Sequence, residues 1–249
     1  MNITPDQTVY WQWEWLHINA TIVFTWVVMI LLVGGSWLIT RKLTIEAEIP
    51  RWQNMLEVVV TTINDQIRDV SGQDASRFLP FIGTLFLYIL TSNLLELIPG
   101  FVAPTGSLST TTALAISVFV AVLLFGIASD GIGGYLKQYV QPTFLMLPFN
   151  IIGELTRTIS LAVRLYGNIM SGTVIVGILL SLTPFFFPLV MQLLGLITGT
   201  VQAYIFAMLA MVYIASATAA HEKAKTNELN ESASKAKPES KKIPKPNPN

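Results

Sequence analysis

From Leu165 to Ala220 the chain carries no Asp, Glu, Lys, Arg or His. In a bilayer core every backbone N–H and C=O must be paired within the segment, so a run of this kind reads as membrane-spanning helix. Arg164 stands immediately before it and is therefore expected at membrane depth. A guanidinium there costs about 2.5–3.5 kcal/mol on insertion scales. It cannot escape that cost by losing its proton, because its pKa lies above about 12. A fixed cation held in lipid implies a protein that handles ions or charged groups.

Composition agrees. The chain is 52% hydrophobic and 12% charged, against roughly 25% charged residues in soluble domains, which reads as an integral membrane protein. Net charge is zero, which makes no case for a nucleic-acid partner. There is no Cys, so thiolate catalysis, disulfides and Cys-based metal sites are excluded. His17 and His221 lie at opposite ends of the hydrophobic region, too far apart in sequence to suggest a shared metal site. No cofactor is expected. Residues Met1–Leu16 contain no Lys or Arg, and the first apolar stretch is too long for a signal peptide's core, so it is expected to remain in the mature protein.

About 20 helical residues cross a bilayer core. Five spans are expected, at 18–40, 78–98, 109–129, 144–182 and 189–220. An aromatic cluster (Tyr10, Trp11, Trp13, Trp15) precedes the first and fits a headgroup-level belt. The fourth is longer than a bilayer needs, so it must tilt or begin in the interface. The uncharged turn Thr183–Pro188 joins it to the fifth, making a long tilted hairpin. Between the first two spans, residues 49–70 place Leu56, Val59, Val60, Ile63 and Ile67 at helical spacing against Glu57, Asp65, Arg68 and Asp69. This is an amphipathic helix suited to the cytoplasmic surface or to a partner. The fold class is thus all-α integral membrane. Residues 1–17 form an external segment, 18–220 the membrane domain, and 221–249 a tail expected to be disordered.

The positive-inside rule orients the chain. Arg41, Lys42, Arg51, Arg68, Arg77, Lys137 and the seven lysines after Ala220 all fall on one side when the N-terminus is outside and five spans are crossed. The opposite loops, Met1–His17, Pro99–Leu108 and Thr183–Pro188, hold no Lys or Arg.

The fourth span carries the chemistry. Asn150, Glu154, Arg157, Leu161, Arg164, Asn168 and Ser171 alternate spacings of four and three, which keeps them on one helix face. A lipid-facing helix would not tolerate that stripe, so the face must meet protein or water. A weaker counterpart on the fifth span runs through Gln192, Gly195, Gly199, Gln202, Phe206, Leu209, Tyr213 and Ser216. Its small residues allow close helix approach. Glu154 and Arg157 are three apart and can neutralise each other. Arg164 has Ser160, Leu161, Gly167 and Asn168 as its three- and four-residue neighbours, with no carboxylate among them. Its counter-charge must come from another helix or another chain. The only other acid in an expected span is Glu96, near an outer end.

These residues resemble subunit a of the F-type ATP synthase. Leu161-Ala-Val-Arg164-Leu-Tyr-Gly-Asn168 is similar to the family's stretch around its essential arginine. Ser92-Asn93-Leu-Leu-Glu96-Leu-Ile-Pro99 resembles its second-span motif, and Val201-Gln202-Ala-Tyr-Ile-Phe its last helix. The resemblance implies a non-catalytic, ion-translocating stator subunit in a cell membrane, bacterial inner or thylakoid. Its implied partners are a ring of c subunits, the b subunits of a peripheral stalk, membrane lipid and, indirectly, the F1 head. It implies that Arg164 faces the c-ring carboxylate and that Gln202 lies across the hairpin from it, with Asn168 one turn further along. Glu154 and Arg157 would line an inner half-channel, and Glu96 and Asn93 an outer one; Asn150 and Ser171 extend the lining. One departure stands out. Where many members carry an acidic or His residue nine positions after the arginine, this chain has Thr173, and at the position often paired with it, Gly195. Which groups take over the outer path is left open at this point. The alternatives are a secondary ion transporter, a membrane anchor for another complex, and a sodium-coupled form of the same subunit.

Overall fold

The computed structural model describes residues 9–13, 16–41, 51–72, 75–98, 100–140, 146–182 and 187–235. Six helices carry the fold: α1 (Ala20–Thr40), α2 (Arg51–Ser71), α3 (Leu79–Leu95), α4 (Leu108–Val140), α5 (Met146–Leu182) and α6 (Phe187–Lys235). Four of them contain stretches long and apolar enough to cross a membrane: Ala20–Leu38, Leu108–Ser129, Leu147–Leu182 and Leu189–Thr218. α3 is apolar but shorter, at 17 residues, or about 25 Å at the helical rise. It ends at Leu95 and gives way to tight turns in which the Ile98 amide donates to Leu95 O at 3.0 Å and the Phe101 amide to Ile98 O at 3.0 Å. The helical part of the expected second span therefore stops three residues early, and Glu96 caps it.

The fold is all-α as expected, with one short addition before the first helix. Val9–Trp13 and Leu16–Asn19 pair as a two-stranded antiparallel ribbon, β1 and β2, with Trp11 opposite Ile18 and Gln12 opposite His17. Aromatic and β-branched residues in both segments favour extended pairing, which helical periodicity does not register. The ribbon moves the start of the first helix from 18 to Ala20. The side chains of the aromatic cluster, the turn at 183–186 and the tail from 236 onward lie outside the described residues.

α4 breaks where its charge pattern announced. Gly131, just after Asp130, has φ 71° and ψ 162°, a conformation closed to side-chain-bearing residues. At the far end, α6 continues past Ala220 to Lys235, into the segment expected to be disordered. Residues 219–235 are rich in Ala, Glu and Lys and contain no Pro or Gly, so helix propensity carries the helix onward.

α6 is the hub. It packs against α3, α4 and α5, and α4 also packs against α5. Ala203, Ala207 and Ala210 are buried along its inner face beside Phe206, Met211 and Ile214. Small side chains there let the neighbouring backbones approach. Across from them lie Phe78, Ile82 and Ile89 of the α3 region and Leu161 and Leu165 of α5. Arg77 sits over the Phe125 ring at 5.7 Å, so the start of α3 meets the end of the α4 crossing and the two run antiparallel. α1 is peripheral, with Trp26, Ile30 and Val33 exposed as on a lipid-facing helix.

α2 is amphipathic as expected. Ile67 is buried and Leu56, Val59, Ile63 and Val70 are half-buried, while Glu57, Asp65, Arg68 and Asp69 are exposed. Val60 differs, being 40% exposed. Its second half docks on α6, where the Tyr204 hydroxyl donates to Gln66 Oε1 at 2.7 Å.

Overfilling the α6 seam tests this packing. Ala210→Leu should cost about 1–3 kcal/mol, read as a lower thermal midpoint of the detergent-solubilised protein. Val212→Leu, on the exposed side of the same turn, should leave the midpoint near that of the parent.

Candidate functional site

α5 runs unbroken from Met146 to Leu182 and so carries the polar stripe on one continuous helix. The stripe does not share one environment. Leu161 is buried; Asn150, Glu154 and Asn168 are half-buried; Arg157, Arg164 and Ser171 are exposed. It follows the boundary between the packed and open sides of the helix, with Leu161 turned into the core beside Leu165.

The two arginines differ in how their charge is met. Arg157 Nη1 donates to Glu154 Oε1 at 3.1 Å, and its guanidinium lies 5.5 Å from the Tyr213 ring of α6. An exposed pair of this kind contributes little stability, but it satisfies the charge within the chain. Arg164 makes no ion pair or hydrogen bond among the described residues. Its guanidinium projects from an exposed strip that also holds Ser160, Val163, Gly167 and Ser171.

Polar contacts fasten α5 and α3 to α6 near this level. Asn168 Nδ2 donates to Thr198 O at 3.3 Å, and Ser171 Oγ donates to Asn168 O at 3.0 Å. Asn93 is buried on α3. Its Nδ2 donates to Gly199 O at 2.8 Å, and its Oδ1 accepts from Thr105 Oγ1 at 3.0 Å. A Cβ on residue 199 would come within 3.1 Å of Asn93 Nδ2, so glycine is what allows this approach. Gln202 is 6% exposed, and its Nε2 has no partner among the described residues.

A cavity of about 220 Å³ opens where α3, α5 and α6 meet. Asn93, Glu96, Asn168, Thr173, Gln192 and Gly195 are among its lining. It has room for several waters, whose liquid volume is about 30 Å³ each. Glu96, from the end of α3, and Thr173, from α5, line this space together. The structure thus gathers Glu96, Asn93 and Asn168 around one space and leaves Glu154, Arg157 and Asn150 further along α5 toward its start. Thr198 and Thr105 were not singled out in the sequence, since a lone threonine in an apolar helix carries no periodic signal. Nor was the Gln66–Tyr204 bond, which joins residues 138 apart.

The family described as ATP synthase A chain matches residues 22–215. The chain belongs to this family. The match runs from within α1 to within α6 and includes every residue of the site. "ATP synthase subunit a 2" of Acaryochloris marina is 61% identical over 218 residues, covering 88% of this chain and 93% of the relative. "ATP synthase subunit a 1" of Crocosphaera subtropica is 60% identical, covering 87% and 94%. "ATP synthase subunit a 1" of Chlorobaculum parvum is 59% identical, covering 90% and 99%. As a member of the subunit a family, the chain is a membrane component of an ATP synthase assembly and serves ion transport linked to ATP synthesis.

Within this subunit a, Asn93 has both of its amide functions engaged, so it holds the cavity together as well as lining it. Asn93→Leu removes the amide bond to Gly199 O and leaves the buried Thr105 hydroxyl without its acceptor, and should cost about 1–3 kcal/mol. The expected readout is a lower thermal midpoint and less subunit recovered in membranes, whereas Ser171→Ala should change neither.

Proposed function

We propose that the chain is the stator of an Fo sector, in which Arg164 faces the carboxylates of a rotating c ring. The observation that carries this reading is the contrast between the arginines. Arg157 is met by Glu154 and Tyr213, while Arg164 lies on an exposed face with no acid paired to it among the described residues. A membrane arginine left open in this way needs an acid from a partner. The strip beside it, Ser160, Val163, Gly167 and Ser171, is uncharged and small, which suits a helix sliding past.

The mechanism follows from Coulomb's law. Two unit charges about 4 Å apart interact by roughly 4 kcal/mol at an effective dielectric near 20. Such a cation keeps each passing ring carboxylate ionised and bars a bound cation from crossing. Moving one charge through the membrane releases about 2.3 kcal/mol per 100 mV, so a barrier of that size stops a direct leak. Ions then enter the ring on one side of Arg164 and leave on the other, after nearly a full turn.

In this reading the cavity at Glu96, Asn168 and Thr173 is the outer half-channel, and Asn150, Glu154 and Arg157 flank the inner one. Ser171 borders the ring-facing strip, and Gln202 supports the hairpin opposite Arg164. The chain crosses the membrane five times, with α3 as the fifth crossing, N-terminus outside and C-terminus in the cytoplasm. α2 lies along the cytoplasmic surface, where its exposed charges meet water. The b subunits of a peripheral stalk hold the subunit against rotation and link it to the F1 head.

Arg164→Ala is the deciding variant. The complex should assemble while ATP synthesis in proteoliposomes falls to background; near-normal synthesis would refute the assignment. The ion in this reading is the proton. The same vesicles energised by a sodium gradient alone should make no ATP, and sodium-dependent synthesis would select the sodium-coupled form instead.

A further inference from the structure

We propose that the Thr173 hydroxyl is a swivel that follows the charge state of Glu96, making the outer cavity a proton station built from one carboxyl and one alcohol. The proposal deepens the half-channel reading above and rests on it.

Thr173 Oγ1 lies 3.0 Å from Ile169 O, one helical turn back on α5. The Glu96 side chain, arriving from the end of α3, lines the same cavity as Thr173. A threonine hydroxyl has a single proton and two lone pairs, so it donates only once. A bond to Ile169 O and a bond to Glu96 therefore belong to two arrangements. When Glu96 is protonated, its O–H donates to Thr173 Oγ1, and Thr173 donates to Ile169 O. When Glu96 is ionised it can only accept, and the Thr173 proton turns from the carbonyl to the carboxylate. The Ile169 carbonyl keeps its helical N–H partner throughout, so releasing it costs little. One small rotation satisfies the carboxyl in both forms.

The proton balance is simple. A Glu96 carboxylate oxygen takes a proton from cavity water on the outer side and returns it to water on the Asn168 side. The hydroxyl proton changes acceptor but stays on Thr173.

The surroundings suit a group that must cycle. Among the described lining residues, Glu96 is the sole ionisable side chain. The amides of Gln192 and Asn168 and the Thr198 hydroxyl that share the cavity are neutral. The residues of α3, α6 and the 100–107 loop that line it bring no charge to face Glu96. On α5 the nearest fixed charge is Arg164, nine residues from Thr173, or about 13 Å along the axis. A cation at contact would hold Glu96 ionised, whereas an alcohol supports either form. Gly172 and Gly195 both border open space, which leaves room for the water that must deliver the proton.

The test uses the whole synthase in proteoliposomes, stripped of F1 for conduction and left intact for synthesis. Proton flux is driven by a potassium diffusion potential while the outer pH is varied. Thr173→Val keeps the side-chain shape and removes the hydroxyl. It should slow conduction about tenfold, the lower value of one hydrogen bond to a charged group, and displace the outer-pH profile. Thr173→Ser should return within about twofold of the parent. Glu96→Gln should flatten the pH profile, and adding Thr173→Val to it should cause no further loss, since the pair acts as one unit. Parent-like conduction in Thr173→Val, failure of Thr173→Ser to rescue, or a full additional loss in the double variant would overturn the swivel. Intact vesicles carrying Arg164→Ala separate this from the wider reading. If that variant makes no ATP while Thr173→Val conducts normally, only the swivel falls. If Arg164→Ala makes ATP normally, the half-channel reading falls with it.

Discussion

A guanidinium is charged at every pH a cell reaches, so one placed on a membrane helix must be met by water, by an acid or by another chain. Arg157 and Arg164 sit two turns apart on the same helix and resolve this differently. Arg157 is met locally, by Glu154 three residues before it and by the Tyr213 ring across the hairpin. Arg164 has only Ser160, Leu161, Gly167 and Asn168 at helical contact distance, and it faces outward. Val163 beside it is exposed, as are Ile159 and Ile175 elsewhere on α5 and Leu194, Ile197 and Val201 on α6. In the proposed reading, a charge that no described residue meets suits a membrane partner that supplies the opposite sign. The rest of the fold serves to hold that face still.

The bracing is polar and close. Asn93 ties α3 to the α6 backbone at Gly199 and to the following loop through Thr105. Asn168 ties α5 to the same stretch of α6 at Thr198. Two amides from different helices thus grip adjacent carbonyls of α6, and the glycine at 199 is the reason one of them fits. These carbonyls already accept helical hydrogen bonds and take the amides on their second lone pair. Such contacts do not slide as apolar packing can, so they set the register of the hairpin on which Arg164 depends. The same geometry brings the end of α3, and with it Glu96, to the cavity.

Much of this was legible in the sequence because it follows from periodicity and charge. The helices begin within two residues of the expected starts, and the break at Gly131 falls where Asp130 marked it, while α6 runs well past its expected end. The inward face of α2 is legible from its periodicity, apart from Val60. The polar stripe merged two environments, because spacing alone cannot tell a helix face from its edge; Leu161 went into the core. The β1–β2 ribbon and the extension of α6 to Lys235 escaped notice because short extended pairing and local helix propensity leave no period to read. Asn93 resembled a channel residue by its motif. Its grip on Gly199 O is a contact between residues 106 apart, visible only once the helices are packed.

The cavity and the fixed charge are related by a single side chain. Asn168 lines the cavity and stands four residues from Arg164, about 6 Å along the helix axis. In the proposed half-channel reading, an ion reaching Asn168 from the outer side meets the field of Arg164 within one turn. The described cavity lining beyond Glu96 is neutral, so nothing in it offsets that field for a cation. In that reading onward movement past the arginine is opposed, and an acid on the facing partner is the remaining destination. Neutral amides and alcohols suit such an approach better than further carboxylates, which would bind the ion instead of passing it on. Replacement of ionisable groups by Thr173 and Gly195 is then compatible with ion passage, provided Glu96 can change its charge at low cost.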